Sequence, residues 1–206
     1  MLELTRKIGL EHARLKAGAL WQSTLGSELE GKTLGIIGLG KLGSRVAKIG
    51  NAFGMKVIAW SQNLTDEKAA AAGATRVSKD ELFKQSDFIT IHTQLSDRTR
   101  GVVGPAEFSL MKPTAYLINT SRGPIVQEAA LIAALRERKI AGAGIDVYDT
   151  EPLALDHPLR KIDSAVITPH LGYVTTEGYR RFYSQMAEDV RAWLDGKPIR
   201  VIPAPN

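Results

Sequence analysis

The segment Gly38-Leu39-Gly40-Lys41-Leu42-Gly43 carries the clearest chemical signal in this 206-residue sequence. It follows the apolar run TLGIIG and opens a stretch, Lys41–Phe53, with Leu42, Val46, Ile49 and Phe53 at helical spacing. Between a strand and a helix, G-x-G-x-x-G has a physical purpose. Gly38 permits the tight turn, Gly40 lets the backbone approach a pyrophosphate, and Gly43 lets the helix pack closely on the sheet. Amides near Lys41 and Leu42 would then hold the anion, aided by the helix dipole. The competing reading is a glycine-rich turn with no ligand. Choice between NAD and NADP falls at the end of the second strand, here KVIAW followed by Ser61-Gln62-Asn63. No carboxylate occurs before Asp66. Ser61 and Asn63 could donate to a phosphate, but no arginine lies alongside to clamp it, so both cofactors stay open.

Other chemistry is sparse. With no Cys, the chain has no disulfide framework, thiolate metal site or cysteine nucleophile, and no metal site is expected. Of four histidines, His12 falls on an amino-terminal helical pattern and reads as solvated, and His157 lies in the turn-like DHP. His92 ends a strand, either packed or lining a cleft. His170 follows AVITP in TPHLGY, at a carboxyl end of the sheet, where ligands bind in open α/β sheets.

The elements that must position these residues alternate. Strands are predicted at 33–38, 56–60, 87–92, 115–120, 141–147 and 165–169, apolar enough to be buried on both faces. Helical patterns lie between them: Ser78-Lys79-Asp80-Glu81 has the form of a capping box, Pro105 suits a first helical position, and 127–138 repeats apolar residues at Ala130, Leu131, Ala134 and Leu135. The fold class expected is α/β, a doubly wound parallel sheet of Rossmann type with flanking helices. Residues 3–18 read as one amphipathic helix, with Leu4, Ile8 and Leu15 on one side. A last helix, about 176–194, bears a stripe of Phe182, Met186, Val190, Trp193 and Leu194 that needs a partner surface. That stripe is expected to promote self-association.

The net charge of +5 is dispersed, so no nucleic-acid partner is expected. No apolar run approaches a membrane span, and the first residues lack the apolar core of a secretory signal. A soluble, cytoplasmic protein is expected.

Five segments occurring in order bear a likeness to a known family: GKTLGIIGLGKLG (31–43), SDFITIHTQLSDRTRGVVG (86–104), LINTSRGPIVQEAALIAAL (117–135), AGAGIDVYDTEPL (141–153) and TPHLG (168–172). Through them the chain resembles the D-isomer-specific 2-hydroxyacid dehydrogenases. The resemblance implies an NAD(P)-dependent enzyme passing a hydride between cofactor and a small 2-oxo or 2-hydroxy acid. It implies a catalytic trio, in which Arg122 binds the substrate carboxylate and polarises its carbonyl, His170 is the acid/base, and Glu151 pairs with that histidine. A guanidinium can grip a 2-oxo acid through two parallel hydrogen bonds, and a neighbouring carboxylate favours imidazolium, keeping a proton donor at hand. For the cofactor it implies Asp146 near the nicotinamide carboxamide, with Thr120, the backbone around Thr93, and Thr99 lining the nucleotide cleft. The competing reading of Asp146 is a cap on local backbone.

Three positions depart from the pattern: Ser61 replaces an aspartate of many NAD-dependent relatives, Gln94 a common proline and Lys41 a common arginine. Family members also have about 100 further residues ahead of the dinucleotide domain, a small-domain size. The expected organisation is therefore a helix for interdomain contact and dimerisation over 1–20, a dinucleotide-binding domain over 21–172, and a helix and tail over 173–206 that pack on an absent catalytic domain. A homodimer is expected. The alternatives to a working oxidoreductase are a truncated nucleotide-binding and dimerisation module without catalysis, or a nicotinamide sensor resembling the family's corepressors.

Overall fold

The structure, a computed structural model, describes residues 1–202. These fall into two compact units, Met1–Pro169 and a second that begins at His170. The first is built on a seven-stranded sheet, ordered β3-β2-β1-β4-β5-β6-β7, in which every neighbouring pair is parallel. The strands are β1 (Thr33–Ile37), β2 (Lys56–Trp60), β3 (Thr75–Arg76), β4 (Phe88–Ile91), β5 (Tyr116–Asn119), β6 (Gly142–Ile145) and β7 (Ala165–Ile167). The order reverses between β1 and β4, so the loops after those two strands diverge to opposite sides and leave a crevice between them.

The six predicted strands are present, most of them a residue or two shorter than expected. The seventh, β3, is too short for a hydrophobic pattern to reveal, and both its residues are exposed at the sheet edge. All four residues of β4 are buried, as are four of five in β1, the expected result for parallel strands covered on both faces.

Helix α3 (Lys41–Ala52) forms where predicted but turns a different face to the sheet. Its buried residues are Gly43, Ala47 and Gly50, whereas Leu42, Ile49 and Phe53 are exposed. The reason is proximity: a methyl group on Gly50 would stand 2.7 Å from Leu34 of β1. α4 (Asp66–Ala71) covers the same face, and Leu34, Ile36, Val57, Ala59, Leu64 and Ala69 pack between. On the opposite face α5 (Lys79–Gln85), α6 (Pro105–Leu110) and α7 (Glu128–Arg136) enclose a larger cluster around Phe83, Ile89, Phe108, Leu117 and Leu131. α5 opens with the predicted capping box: Glu81 N–H donates to the Ser78 hydroxyl at 3.2 Å, and Ser78 N–H donates to the Glu81 carboxylate at 2.8 Å. α6 begins at Pro105, its predicted first position.

The amino-terminal helix is corrected. Two helices, α1 (Leu2–Arg6) and α2 (Ile8–Lys16), replace the single one expected over 3–18. Lys7 between them is left-handed at φ 50°, and the Glu3 carboxylate accepts the Gly9 N–H at 3.0 Å, holding the break. Rotation at Lys7 destroys the supposed common face: Leu4 is buried against Gly144 of β6, while Ile8 and Leu15 are exposed.

In the second unit, α8 (Thr176–Leu194) spans the predicted range, capped by the Thr175 hydroxyl, which accepts Gly178 N–H at 2.9 Å. Phe182, Met186, Val190 and Trp193 are exposed. Arg200 ties the following segment to this helix through Glu188 (2.6 Å) and Asp189 (2.7 Å). No helix among the described residues is long and apolar enough to cross a membrane.

Asp87 joins three strands at their amino ends. Its carboxylate accepts Thr33 N–H at 2.8 Å and the Lys112 ammonium at 2.9 Å, and its carbonyl accepts Tyr116 N–H at 3.0 Å. Burial alone would raise its pKa, but the Thr33 amide and Lys112 outweigh burial and hold it below the ordinary 3.8. A depressed carboxyl pKa stabilises the fold above the ordinary value, and that stabilisation is lost as pH falls through the folded value. Asp87→Asn is expected to reduce unfolding free energy at pH 7 by about 1–2 kcal/mol. The gap between variant and parent in urea titrations should narrow as pH falls below the ordinary 3.8 toward the depressed folded value; a gap independent of pH would refute this role.

Candidate active site

Loops at the carboxyl ends of the strands carry the residues that the sequence singled out. After β1 the chain turns at Gly38, whose φ of +91° favours glycine. A methyl group there would lie 2.8 Å from both the His92 carbonyl carbon and the Thr93 nitrogen, so the turns after β1 and β4 touch at the crevice. Two backbone bonds seat them: Gly38 N–H donates to the Trp60 carbonyl at 2.9 Å, and His92 N–H donates to that of Ile37 at 2.7 Å. Gly43 lies so close beneath that a methyl group would stand 2.1 Å from the Gly38 carbonyl oxygen. Any side chain there would push α3 off its strand.

Gly40 differs. It is the N-cap of α3, extended at φ −84° and ψ −157°, and a methyl group on it would meet nothing within 4 Å. No side chain caps the helix and no acidic residue sits in its first turn. The first amides of a helix have no partner within it, so those of Lys41 and Leu42 open the helix toward unfilled space with its positive end forward. Lys41 and Leu42 are both exposed. An anionic group such as a pyrophosphate fits this cradle, which has both room and donors.

Around the crevice, Ser61 follows β2, and its carbonyl accepts Leu64 N–H at 3.1 Å in a tight turn. No arginine neighbours Ser61 in sequence, but β3 sets Arg76 opposite Ala59 of β2. Thr93 follows β4, half-buried. Thr99 has an architectural place: its hydroxyl accepts Ser96 N–H at 2.8 Å and donates to the Gln94 carbonyl at 2.6 Å, closing the loop that follows Thr93. His92 is packed, with Nε2 3.0 Å from the Thr90 hydroxyl, and burial lowers its pKa, so the imidazole stays neutral.

Thr120 and Arg122 follow β5, both exposed. Their loop is braced by a residue with no motif to announce it. Asn119, only 1% exposed, accepts Ser121 N–H at 3.0 Å and donates to the Arg122 carbonyl at 2.9 Å. The Ser121 hydroxyl donates to the Ile91 carbonyl of β4 at 2.7 Å. After β6, Asp146 is buried; its N–H donates to the Asn119 carbonyl at 3.0 Å and its carboxylate accepts the Thr168 hydroxyl. The Glu151 carboxylate accepts Tyr148 N–H at 3.0 Å.

The loops bearing Arg122 and Glu151 are brought together by Gly123. A methyl group there would stand 2.1 Å from the Tyr148 carbonyl carbon and 2.5 Å from the Asp149 nitrogen. Tyr148 extends the brace: its hydroxyl points to the Thr168 carbonyl (2.8 Å) and the Ile145 carbonyl (3.2 Å), both on the strand ends that flank the site. Burial, then the charge of Asp146, raises its pKa, so it stays a donor. His170 belongs to the second unit, left-handed at φ 52° with its ring edge-on to Tyr173 at 5.4 Å. His157, read from sequence as a turn residue, caps the 158–161 turn by accepting Leu159 N–H and lies 3.0 Å from Glu128. His12 is exposed. Gly123 and Tyr148 escape sequence reasoning because their importance lies in non-local backbone contacts; Asn119 makes a local turn with Ser121 and Arg122, of the kind asparagine favours.

Residues 1–172 match the family described as D-isomer specific 2-hydroxyacid dehydrogenase, NAD binding domain. A glyoxylate reductase of Aeropyrum pernix is 45% identical over 184 residues, which are 89% of this chain and 55% of that protein. The chain thus spans about half the length of this curated relative. Among solved structures, a phosphoglycerate oxidoreductase from Vibrio cholerae aligns with TM-score 0.90 and 34% identity over 95% of this chain and 64% of its own. A D-lactate dehydrogenase from Aquifex aeolicus, complexed with NAD and lactic acid, aligns with TM-score 0.85 and 33% identity over 98% and 68%.

The contact at Gly123 predicts a sharp cost. Gly123→Ala should destabilise the protein by about 1–3 kcal/mol, the usual range for forcing atoms into a closed space. Gly144→Ala, where the nearest atom is 3.4 Å away, should be far milder. Equal thermal shifts for the two variants would contradict the close approach.

Proposed function

The chain belongs to the D-isomer specific 2-hydroxyacid dehydrogenase family, matching its NAD binding domain, and on that premise we propose that it binds a nicotinamide dinucleotide and serves hydride transfer to or from a small D-2-hydroxy or 2-oxo acid. The observation that carries this reading is the open N-terminus of α3 behind Gly40, at the point where the strand order reverses. Gly38, Gly40 and Gly43 shape the cradle, and the amides of Lys41 and Leu42 bind the pyrophosphate. Asp146 accepts from the carboxamide of the nicotinamide and so selects the ring face presented. Thr93, Thr99 and Thr120 line the cleft. When bound, the nicotinamide supplies or takes up the hydride at the carbonyl carbon.

The chain's own residues do the remaining work. Arg122 holds the substrate carboxylate with two parallel hydrogen bonds and draws electron density toward the carbonyl oxygen. His170 gives that oxygen a proton in reduction and takes it back in oxidation. Glu151 pairs with His170 and stabilises its charged form. NAD and NADP are both compatible with Ser61. A homodimer in the cytoplasm belongs to the same reading; exposed Leu20, Trp21 and Leu25 after α2 offer it an apolar surface. So does the division into a helical segment over 1–20, a dinucleotide domain over 21–172, and a segment over 173–206 that packs on a further domain. A second reading, dinucleotide binding without turnover, is favoured by the exposure of Arg122 and Glu151, because a wet site weakens the electrostatics that catalysis needs.

Two experiments test the proposal. Gly40→Val should leave the fold intact yet weaken NADH binding, followed by energy transfer from tryptophan, by at least about tenfold, since the side chain fills the space meant for phosphate. Undiminished binding would remove the glycine turn from the site. In glyoxylate reduction, Arg122→Ala and His170→Ala should each lower kcat/KM by about 100-fold or more while NADH still binds. Near-parental turnover by either variant would reject its role, and absence of turnover in a parent that binds NADH would favour the second reading.

A further inference from the structure

The short edge strand creates a juxtaposition that the linear sequence hides. β3 pairs with β2 in the register Ile58↔Thr75 and Ala59↔Arg76, continued by Val77 N–H donating to the Ala59 carbonyl at 3.0 Å. Arg76 thus stands one strand over and two residues back from Ser61. At a strand spacing of about 4.8 Å and a rise of about 3.3 Å per residue, the two Cα atoms are about 8 Å apart, within reach of an extended arginine. Beyond the Ser61–Leu64 turn, Thr65 caps α4, and Asp66 is the first residue of that helix. Arg76 Nη1 lies 3.5 Å from Asp66 Oδ1, and both side chains are exposed, at 49% and 77%.

This is a loose pair. A separation of 3.5 Å exceeds that of a normal charge-assisted hydrogen bond, so most of the guanidinium fork can still serve another anion. Lys79, also near the end of β2, is already engaged: it lies over the Trp60 ring at 5.9 Å and binds Glu107 at 2.7 Å. Beyond the end of β2, among the described residues, Asp66 and Arg76 thus set a carboxylate beside a guanidinium that is only loosely paired. The 2′ position of an adenosine ribose makes opposite demands on them. A hydroxyl needs an acceptor, whereas a phosphate needs a donor fork and is repelled by a carboxylate.

We propose that Asp66 and Arg76 together select the substituent at the 2′ position of the cofactor's adenosine ribose, Arg76 binding a 2′-phosphate and Asp66 accepting from a 2′-hydroxyl. The proposal rests on the dinucleotide reading of the preceding subsection and adds residues from outside the β2 loop to it. The dissociation constants of NADH and NADPH for the full chain and for Arg76→Ala and Asp66→Asn test it, with circular dichroism to verify folding. Arg76→Ala should weaken NADPH by about tenfold or more and leave NADH within about twofold, as expected for losing a charge-assisted contact to phosphate. Asp66→Asn should shift the balance the other way, tightening NADPH and weakening NADH. A ratio of the two constants that stays within about twofold of the parent in both variants would overturn the proposal while leaving dinucleotide binding intact. A folded parent that binds neither cofactor would overturn the underlying reading and this selector with it.

Discussion

The contact between Gly43 of α3 and the carbonyl of Gly38 is the constraint on which the site depends. It leaves no room for a side chain, so the helix starts flush against the turn that follows β1. The same turn presses on the backbone of His92 and Thr93, which locks the loop after β1 to the loop after β4. These two loops leave the sheet at the point where strand order reverses. With small residues on the sheet side of α3, the helix approaches the sheet closely, and no side chain caps its first turn. The proposed anion site depends on that closeness: an unsatisfied helix terminus carries partial positive charge that falls off within one turn.

A second close approach assembles the other half of the site. Gly123 seats the Arg122 loop on the backbone of Tyr148 and Asp149, and buried Asn119 fixes that loop from below. Tyr148 contributes an amide to the Glu151 carboxylate and a hydroxyl to the end of the chain segment that leads to Pro169. Loops far apart in sequence are thereby braced against one another and against the ends of their strands. If Arg122 grips a substrate carboxylate as proposed, such support matters, because a small displacement of the reacting groups costs much of the advantage of orientation.

Much of this arrangement was legible in the sequence, for physical reasons that also explain the failures. Buried parallel strands are continuous apolar runs, so six of them stand out, and a glycine turn between strand and helix has few other uses. The Ser78–Glu81 box and Pro105 are local chemistry, and both mark helix starts. β3 has two exposed residues and no pattern, so its strand, and with it Arg76 beside β2, emerged only from three-dimensional pairing. The break at Lys7 escaped notice because lysine rarely adopts a left-handed backbone and the apolar spacing across it imitates a helix. The packing face of α3 was misleading in another way: its large apolar residues suggested a buried stripe, whereas close approach selected the glycines and alanine. Tyr148 acts through the Thr168 carbonyl, which no spacing rule encodes, whereas the Asn119 turn onto Ser121 and Arg122 is local.

The central claim is that a dinucleotide phosphate sits on the helix terminus behind Gly40. Backbone amide resonances of the isotope-labelled chain, recorded as a nicotinamide dinucleotide is added, test it most directly. The account predicts that the largest shifts fall on the amides of Gly40, Lys41 and Leu42, with smaller ones at Thr93 and Ser61. Saturable binding whose shifts cluster elsewhere and leave the first turn of α3 unchanged would contradict it.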